Sequence, residues 1–262
     1  MSDTTTPLAI DTTQLTKFFG TQCAVAGVDL KVAAGTFYGF LGPNGAGKST
    51  TIKMLTGLLQ PNSGTIRILG MDPSNPAESI KIKSRIGVVP EDLALFDNLT
   101  GTEYLTFVGR MFLLDKATIR KRAEDLLGIM RLDKEEKKLA LEYSHGMRKK
   151  LALAAALLPN PDLLFLDEPF EGVDAVTSRV IRDLLADFVS RGSTVFLTSH
   201  VLEIVERLCS HVGIISGGQL VEQTSLDELR QGDSLERRFL EKVGHHEDAP
   251  QKLSWMEEES QK

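Results

Sequence analysis

Gly42-Pro43-Asn44-Gly45-Ala46-Gly47-Lys48-Ser49-Thr50 decides the fold, because its spacing is that of a loop wrapped around a triphosphate. Its glycines let backbone N–H groups turn inward without side-chain obstruction. Several amides and the positive end of the following helix can then surround phosphate oxygens. Lys48 is placed to reach the β- and γ-phosphates, and Ser49 to offer its hydroxyl to Mg²⁺. Thr50 is expected to begin a helix that continues through Ile52, Met54 and Leu55. Before the loop, Phe37-Tyr38-Gly39-Phe40-Leu41 is a short apolar run of buried-strand type, so the order is strand, glycine loop, helix. A chance glycine-rich turn is the competing explanation, and the flanking strand and helix weigh against it.

Outward from this loop, polar and apolar residues alternate from Cys23 to Val32 and from Thr65 to Leu69, as in half-buried strands. A turn-rich passage, Leu59 to Gly64, links the helix to the second of these. From about Thr102 to Leu158 the pattern is helical, with Leu105, Val108, Met111 and Phe112 at helical spacing and a later apolar helix from Leu151 to Leu158. Strands return at 163–166, 194–197 and 212–215, separated by helix-like segments. Short apolar strands alternating with helices imply an α/β fold with a mainly parallel sheet covered on both faces. No internal repeat is present. From Gly244 onward, His245 to Pro250 and Glu257-Glu258-Glu259 read as a solvated tail, within which Trp255 is expected to be loosely held.

Leu163-Leu164-Phe165-Leu166-Asp167-Glu168-Pro169 delivers two carboxylates at the C-terminal end of an apolar strand, where open α/β sheets bind ligands. Alone this is a strand ending in an acidic turn. After a phosphate loop it reads as the second half of a nucleotide machine, with Asp167 holding Mg²⁺ through water and Glu168 orienting the water that attacks the γ-phosphorus. Between the two motifs stands Tyr143-Ser144-His145-Gly146-Met147-Arg148, where a serine at a helix start can cap the helix or help bind an anion. Arg148, Lys149 and Lys150 read as a solvated helix face rather than a nucleic-acid patch.

The bulk properties narrow the function further. The 262 residues are 42% hydrophobic and 25% charged, the balance of an ordinary globular protein. A formal net charge of -6 argues against a nucleic-acid coat or a polybasic membrane anchor. Cys23 and Cys209 lack metal spacing and are expected to be reduced core thiols. The polar start Met1 to Thr6 lacks signal-peptide character, and no apolar run reaches the roughly 18 residues of a membrane span. Any membrane role is therefore expected to come through a partner.

The series Gly42 to Thr50, Ser144-His145-Gly146-Met147, Leu166-Asp167-Glu168-Pro169 and Thr198-Ser199-His200 resembles the nucleotide-binding subunit of ATP-binding cassette (ABC) transporters, over roughly 8–229. The resemblance implies a P-loop NTPase core, an antiparallel β subdomain and an inserted α-helical subdomain at about 92–158. The ATP-binding domain would occupy 8–230, and 231–262 would be an extension and tail. It also implies that ATP and Mg²⁺ bind, and that Ser144 and Gly146 contact the γ-phosphate of ATP held by a second nucleotide-binding subunit. His200 resembles the histidine that contacts the γ-phosphate and supports Glu168. Phe19 sits where the family stacks an aromatic on adenine, although the adjacent Phe18 could exchange roles with it.

Departures from the pattern are specific. In the loop expected to link the two lobes, Val88-Val89-Pro90-Glu91 places Glu91 where the family commonly has glutamine; a carboxylate can still accept bonds from metal-bound water but cannot donate as an amide does. The family's signature turn, here Ser144 to Met147, has His145 and Met147 where many members have glycine and glutamine. Phe170-Glu171-Gly172-Val173-Asp174 has Glu171 in place of serine, while Asp174 keeps its place. The runs Gly146 to Leu151, Pro90-Glu91 and Leu235 to Leu240 look like bacterial exporter subunits of the ABC-2 type. Such a subunit would work at the cytoplasmic face of the cell membrane with an integral permease, and Leu93 to Thr100, with Leu95, Phe96 and Leu99, would dock it. Two other readings stay open. One is a soluble cassette protein acting on nucleic acid or ribosomes, although such proteins usually carry a coiled-coil insertion or two cassettes. The other is a clamp that binds ATP without hydrolysing it, against which Glu168 and His200 argue.

Overall fold

The computed structural model describes residues 7–135, 137–232 and 234–243. The chain opens with β1 (Leu8–Phe19), β2 (Gln22–Val28), β3 (Lys31–Ala33), β4 (Phe37–Leu41), α1 (Lys48–Leu55) and β5 (Ser63–Ile68). Then come α2 (Pro76–Arg85), β6 (Ile86–Val89), α3 (Gly101–Met111), α4 (Lys116–Ile129) and α5 (His145–Leu157). The rest is β7 (Leu163–Asp167), α6 (Ala175–Ser190), β8 (Thr194–Ser199), α7 (Leu202–Leu208), β9 (His211–Ser216), β10 (Gln219–Ser225), α8 (Leu226–Gly232) and α9 (Leu235–Val243).

Six strands form the central sheet in the order β10-β9-β4-β8-β7-β6. All its pairings are parallel except that of β10 with β9. Every residue of β4, β7 and β8 is buried, as expected of parallel strands covered on both faces. A second, antiparallel sheet places β1 between β2 and β3, with β5 also paired to β1. One face of the central sheet meets this lobe and α1 through Tyr38, Phe40, Phe165 and Phe196. Phe196 lies 5.4–5.8 Å from the other three rings, centroid to centroid. Each such burial contributes about 1.5–3 kcal/mol, which locks the strand ends against the lobe. The opposite face packs α5, α6 and α7. There Gly39 is required by close approach, since a Cβ would lie 2.6 Å from Val205 Cγ1 of α7.

The helical region is set by its caps. Thr100 and Glu103 form a reciprocal capping box at the start of α3, and Asp115 caps α4. Gly109 lets α3 and α4 cross closely, because a Cβ would meet Ile119 Cγ1 at 2.6 Å.

Several expectations change. α1 starts at Lys48, two residues before Thr50, with Gly47 as its cap. Val88 and Val89 belong to a strand, β6, and only Pro90-Glu91 leads out of it. Cys23 is exposed rather than in the core, because it lies at the start of the edge strand β2, while Cys209 is buried; both are free thiols. Lys149 is buried rather than on a solvated face. Leu235 of α9 joins the core cluster on the helical side of the central sheet. The start Met1 to Thr6 and the tail from Gly244, including Trp255, lie outside the described residues. Among the described residues no helix is long and apolar enough to cross a membrane.

Candidate nucleotide site

β4 runs straight into the glycine loop, and backbone crowding dictates two of its glycines. A Cβ on Gly42 would lie 2.4 Å from the Ile215 carbonyl oxygen, and one on Gly47, at φ 107, 2.5 Å from that of Ala24. Gly47 carries the left-handed turn into α1, whose first N–H groups are free to meet an anion. The Lys48 ammonium is held over the loop by the carbonyls of Gly42 at 2.8 Å and Pro43 at 3.2 Å. Asn44, Gly45, Gly47, Lys48, Ser49 and Thr50 border a cavity of about 390 Å³, large enough for a small ligand. Gly42, Pro43 and the buried Ala46 shape the loop from behind. The antiparallel lobe contributes Phe19 and Gln22 to the cavity; Phe19 is 51% exposed, and Phe18, 44% exposed, does not border it. A larger cleft of about 610 Å³ between α3 and α4 has none of the loop residues or the Glu168 carboxylate.

The acidic side of the cavity comes from the ends of β6, β7 and β8. Register pairs Asp167 with Thr198, whose hydroxyl donates to Asp167 Oδ1 at 2.5 Å and accepts from the Glu168 N–H at 3.1 Å. Asp167 is buried and lies behind the cavity wall, whereas Glu168 borders it. Glu168 has φ 48, a left-handed conformation that costs a non-glycine residue about 1–3 kcal/mol. This turns its side chain, 8% exposed, between Lys48 Nζ at 3.6 Å and His200 Nδ1 at 3.1 Å. Ser49 Oγ donates to Glu91 Oε2 at 3.4 Å, so two of the three metal candidates meet at the cavity with Glu171 nearby.

Glu168 Oε1 is buried without a hydrogen-bond partner, facing the ammonium of Lys48. A water-orienting carboxylate needs such an oxygen to accept a proton. The described residues contain no cluster of three or more His, Cys, Asp or Glu side chains able to cage a metal ion. Mg²⁺ is commonly held by one or two carboxylates together with substrate phosphates, so Ser49 and Glu91, which meet at the cavity, fit it, and Asp167, behind the wall, would act through an intervening water.

Ser144, Gly146 and Asp174 gather elsewhere. Ser144 caps α5, accepting from the Met147 N–H at 3.3 Å. A Cβ on Gly146 would lie 3.9 Å from Asp174 Oδ2. Asp174 caps α6 through the N–H groups of Val176 and Thr177, at 3.0 and 2.9 Å, and the Thr177 hydroxyl at 2.7 Å. The Thr177 N–H and hydroxyl bonds, with the Val176 N–H, hold the Asp174 carboxyl below its usual range. None of these three residues borders the cavity.

Sequence reasoning missed three contributors: Thr198, Glu171 and Lys149. Thr198 was signalled by its place beside Ser199-His200, but its role depends on the β7–β8 register. Lys149, in α5, donates to the carbonyls of Glu168 at 2.8 Å and Glu171 at 2.5 Å. Burial lowers the pKa of its ammonium, against the pull of Glu171, Glu168 and Glu91.

Residues 25–171, more than half of the chain, match the family model described as ABC transporter. The chain is 39% identical over 222 residues to the daunorubicin/doxorubicin resistance ATP-binding protein DrrA of Streptomyces peucetius, covering 85% of this chain and 67% of that one. Among solved structures it is similar to an ATP-binding subunit of an ABC transporter, with TM-score 0.82, 28% identity, and coverage of 89% of this chain and 98% of that one. It is also similar to a dimeric bacterial ABC transporter cassette, with TM-score 0.77, 25% identity, and coverage of 83% and 98%. The chain belongs to the ABC transporter family, as one of its ATP-binding and ATP-hydrolysing subunits.

Proposed function

We propose that two nucleotide-binding subunits close around two ATP molecules, each phosphate loop facing the partner's Ser144 and Gly146, and that hydrolysis resets an integral permease that exports its cargo. The observation that carries this reading is the division of the motifs: Lys48, Glu168 and His200 share one cavity, while Ser144, Gly146 and Asp174 lie outside it. Phe19 would stack on adenine. The loop amides, Lys48 and Thr50 would hold the phosphates, and Asp174 would take part where the two chains meet. Mg²⁺, when bound through Ser49, Glu91 and Asp167, supplies positive charge against the phosphate oxygens. Glu168 orients the attacking water and accepts its proton at a carboxylate oxygen; His200 holds that carboxylate in line and reaches the γ-phosphate.

Export is supported by the resistance relative and by the ABC-2-like runs around Arg148 and Arg237. The subunit would work at the cytoplasmic face of the membrane through its permease. Phe96, exposed and edge-on to Phe107 with centroids 5.0 Å apart, gives Leu93 to Thr100 an apolar face for a permease helix. Glu168→Gln tests the core of the reading. It should slow hydrolysis by on the order of 100-fold or more while ATP binding persists and an ATP-bound dimer accumulates. Unchanged turnover would remove Glu168 from its role.

A further inference from the structure

Three consecutive cations follow the signature turn, and the fold gives the first two separate tasks. Arg148 Nη1 pairs with Asp97 at 2.8 Å and donates to the Ala140 carbonyl at 3.0 Å, which ties α5 to the segment before α3. Lys149 points inward and is 4% exposed. A buried ammonium is unfavourable unless its donors are satisfied, and two of its three N–H groups bond the carbonyls of Glu168 and Glu171. Those carbonyls bracket the turn that follows β7.

The grip matters because of the conformation it acts on. Glu168 stands at φ 48, where a glutamate does not settle unaided. Thr198 Oγ1 holds the peptide N–H entering Glu168, and Lys149 holds the carbonyl leaving it. Both peptide planes are therefore fixed, and with them the direction in which the carboxylate projects. The same helix begins at Ser144, about a turn and a half before Lys149.

We propose that Lys149 is a positioning residue for hydrolysis, holding Glu168 in its water-orienting pose from the same helix that presents Ser144 and Gly146 to the partner's nucleotide. The inference rests on Glu168 being the general base. It adds that each chain's catalytic turn is mechanically joined to the surface that senses the other chain's ATP.

The test uses the full chain, with steady-state ATP turnover and the stoichiometry and affinity of ATP binding measured together for Lys149→Met and Lys149→Arg. The Met variant should lose on the order of 10- to 100-fold in kcat while its KM and ATP-binding stoichiometry stay within about twofold of wild type, since a misaligned base slows chemistry without touching the phosphate loop. The Arg variant, which keeps a cation with N–H donors, should recover a large part of that loss. The inference is overturned if the Met variant turns over within twofold of wild type, if its ATP-binding stoichiometry falls in step with kcat, or if both variants are equally impaired. Glu168→Gln separates the two failures. If it leaves turnover unchanged, the base assignment itself is wrong; if it abolishes turnover while Lys149→Met does not, only the role of Lys149 falls.

Discussion

The two halves of the nucleotide machinery are built in opposite ways. Around Lys48 the groups converge: three strand ends and a glycine loop bring an ammonium and an imidazole within 3.6 Å of one carboxylate at a shared cavity. Around Ser144 they diverge, since its hydroxyl is spent on capping α5 and Gly146 faces Asp174, away from that cavity. On the proposed reading, one half holds a triphosphate as it stands, and the other gains a ligand only when a second chain brings one to it. That contrast is what makes a two-chain site the economical reading of a single fold.

The sharpest way to break the contrast is to damage each half separately. Lys48→Ala should abolish tight ATP binding by the isolated chain. Ser144→Arg should leave that binding within about twofold yet lower hydrolysis by on the order of 100-fold, because it blocks the partner's site rather than its own. Equal loss of binding in both variants, read by isothermal titration, would erase the distinction. A smaller effect is expected from Thr198→Val, which leaves Asp167 Oδ1 and the Glu168 N–H without their shared hydroxyl. A buried group left unsatisfied costs about 1–3 kcal/mol, so kcat should fall by roughly 5- to 100-fold. Wild-type turnover in this variant would show that the β7–β8 register does not set the base. The smallest effect separates two neighbours: Phe19→Ala should raise the KM for ATP by on the order of 10-fold with kcat held, and Phe18→Ala should leave both unchanged. The reverse result would move the adenine to Phe18.

How much of this was legible beforehand depended on whether the chemistry was local in the chain. The phosphate loop was, because its nine residues are contiguous and directly follow a strand, and the glycine spacing marks where side chains are excluded even though the atoms that exclude them belong to Ile215 and Ala24. The alternating strands and the helical stretch were also readable from periodicity. The pairing of Glu168 with His200 was expected only through the family resemblance, because it depends on the register of β7 against β8 and the order β4-β8-β7, which no local pattern carries. β6 escaped because it is four residues long, buried without alternation, and contains Gly87, where a Cβ would strike the Ala156 carbonyl oxygen at 2.5 Å. Lys149 escaped for a different reason. In sequence it is the middle of three like charges, and only the packing of α5 beneath the catalytic turn decides which cation goes inside.

Mixing two inactive chains tests the composite site most directly. Lys48→Ala lacks a working phosphate loop and Ser144→Arg lacks a working signature turn, so a mixed dimer pairs the intact loop of one with the intact turn of the other. With random pairing, half the dimers are mixed and each has one intact site of two, so ATPase activity should return to roughly a quarter of wild type from two nearly silent parents. Mixed dimers that form with ATP yet hydrolyse no faster than the parents would contradict the account, and place both motifs in service of the same chain's nucleotide.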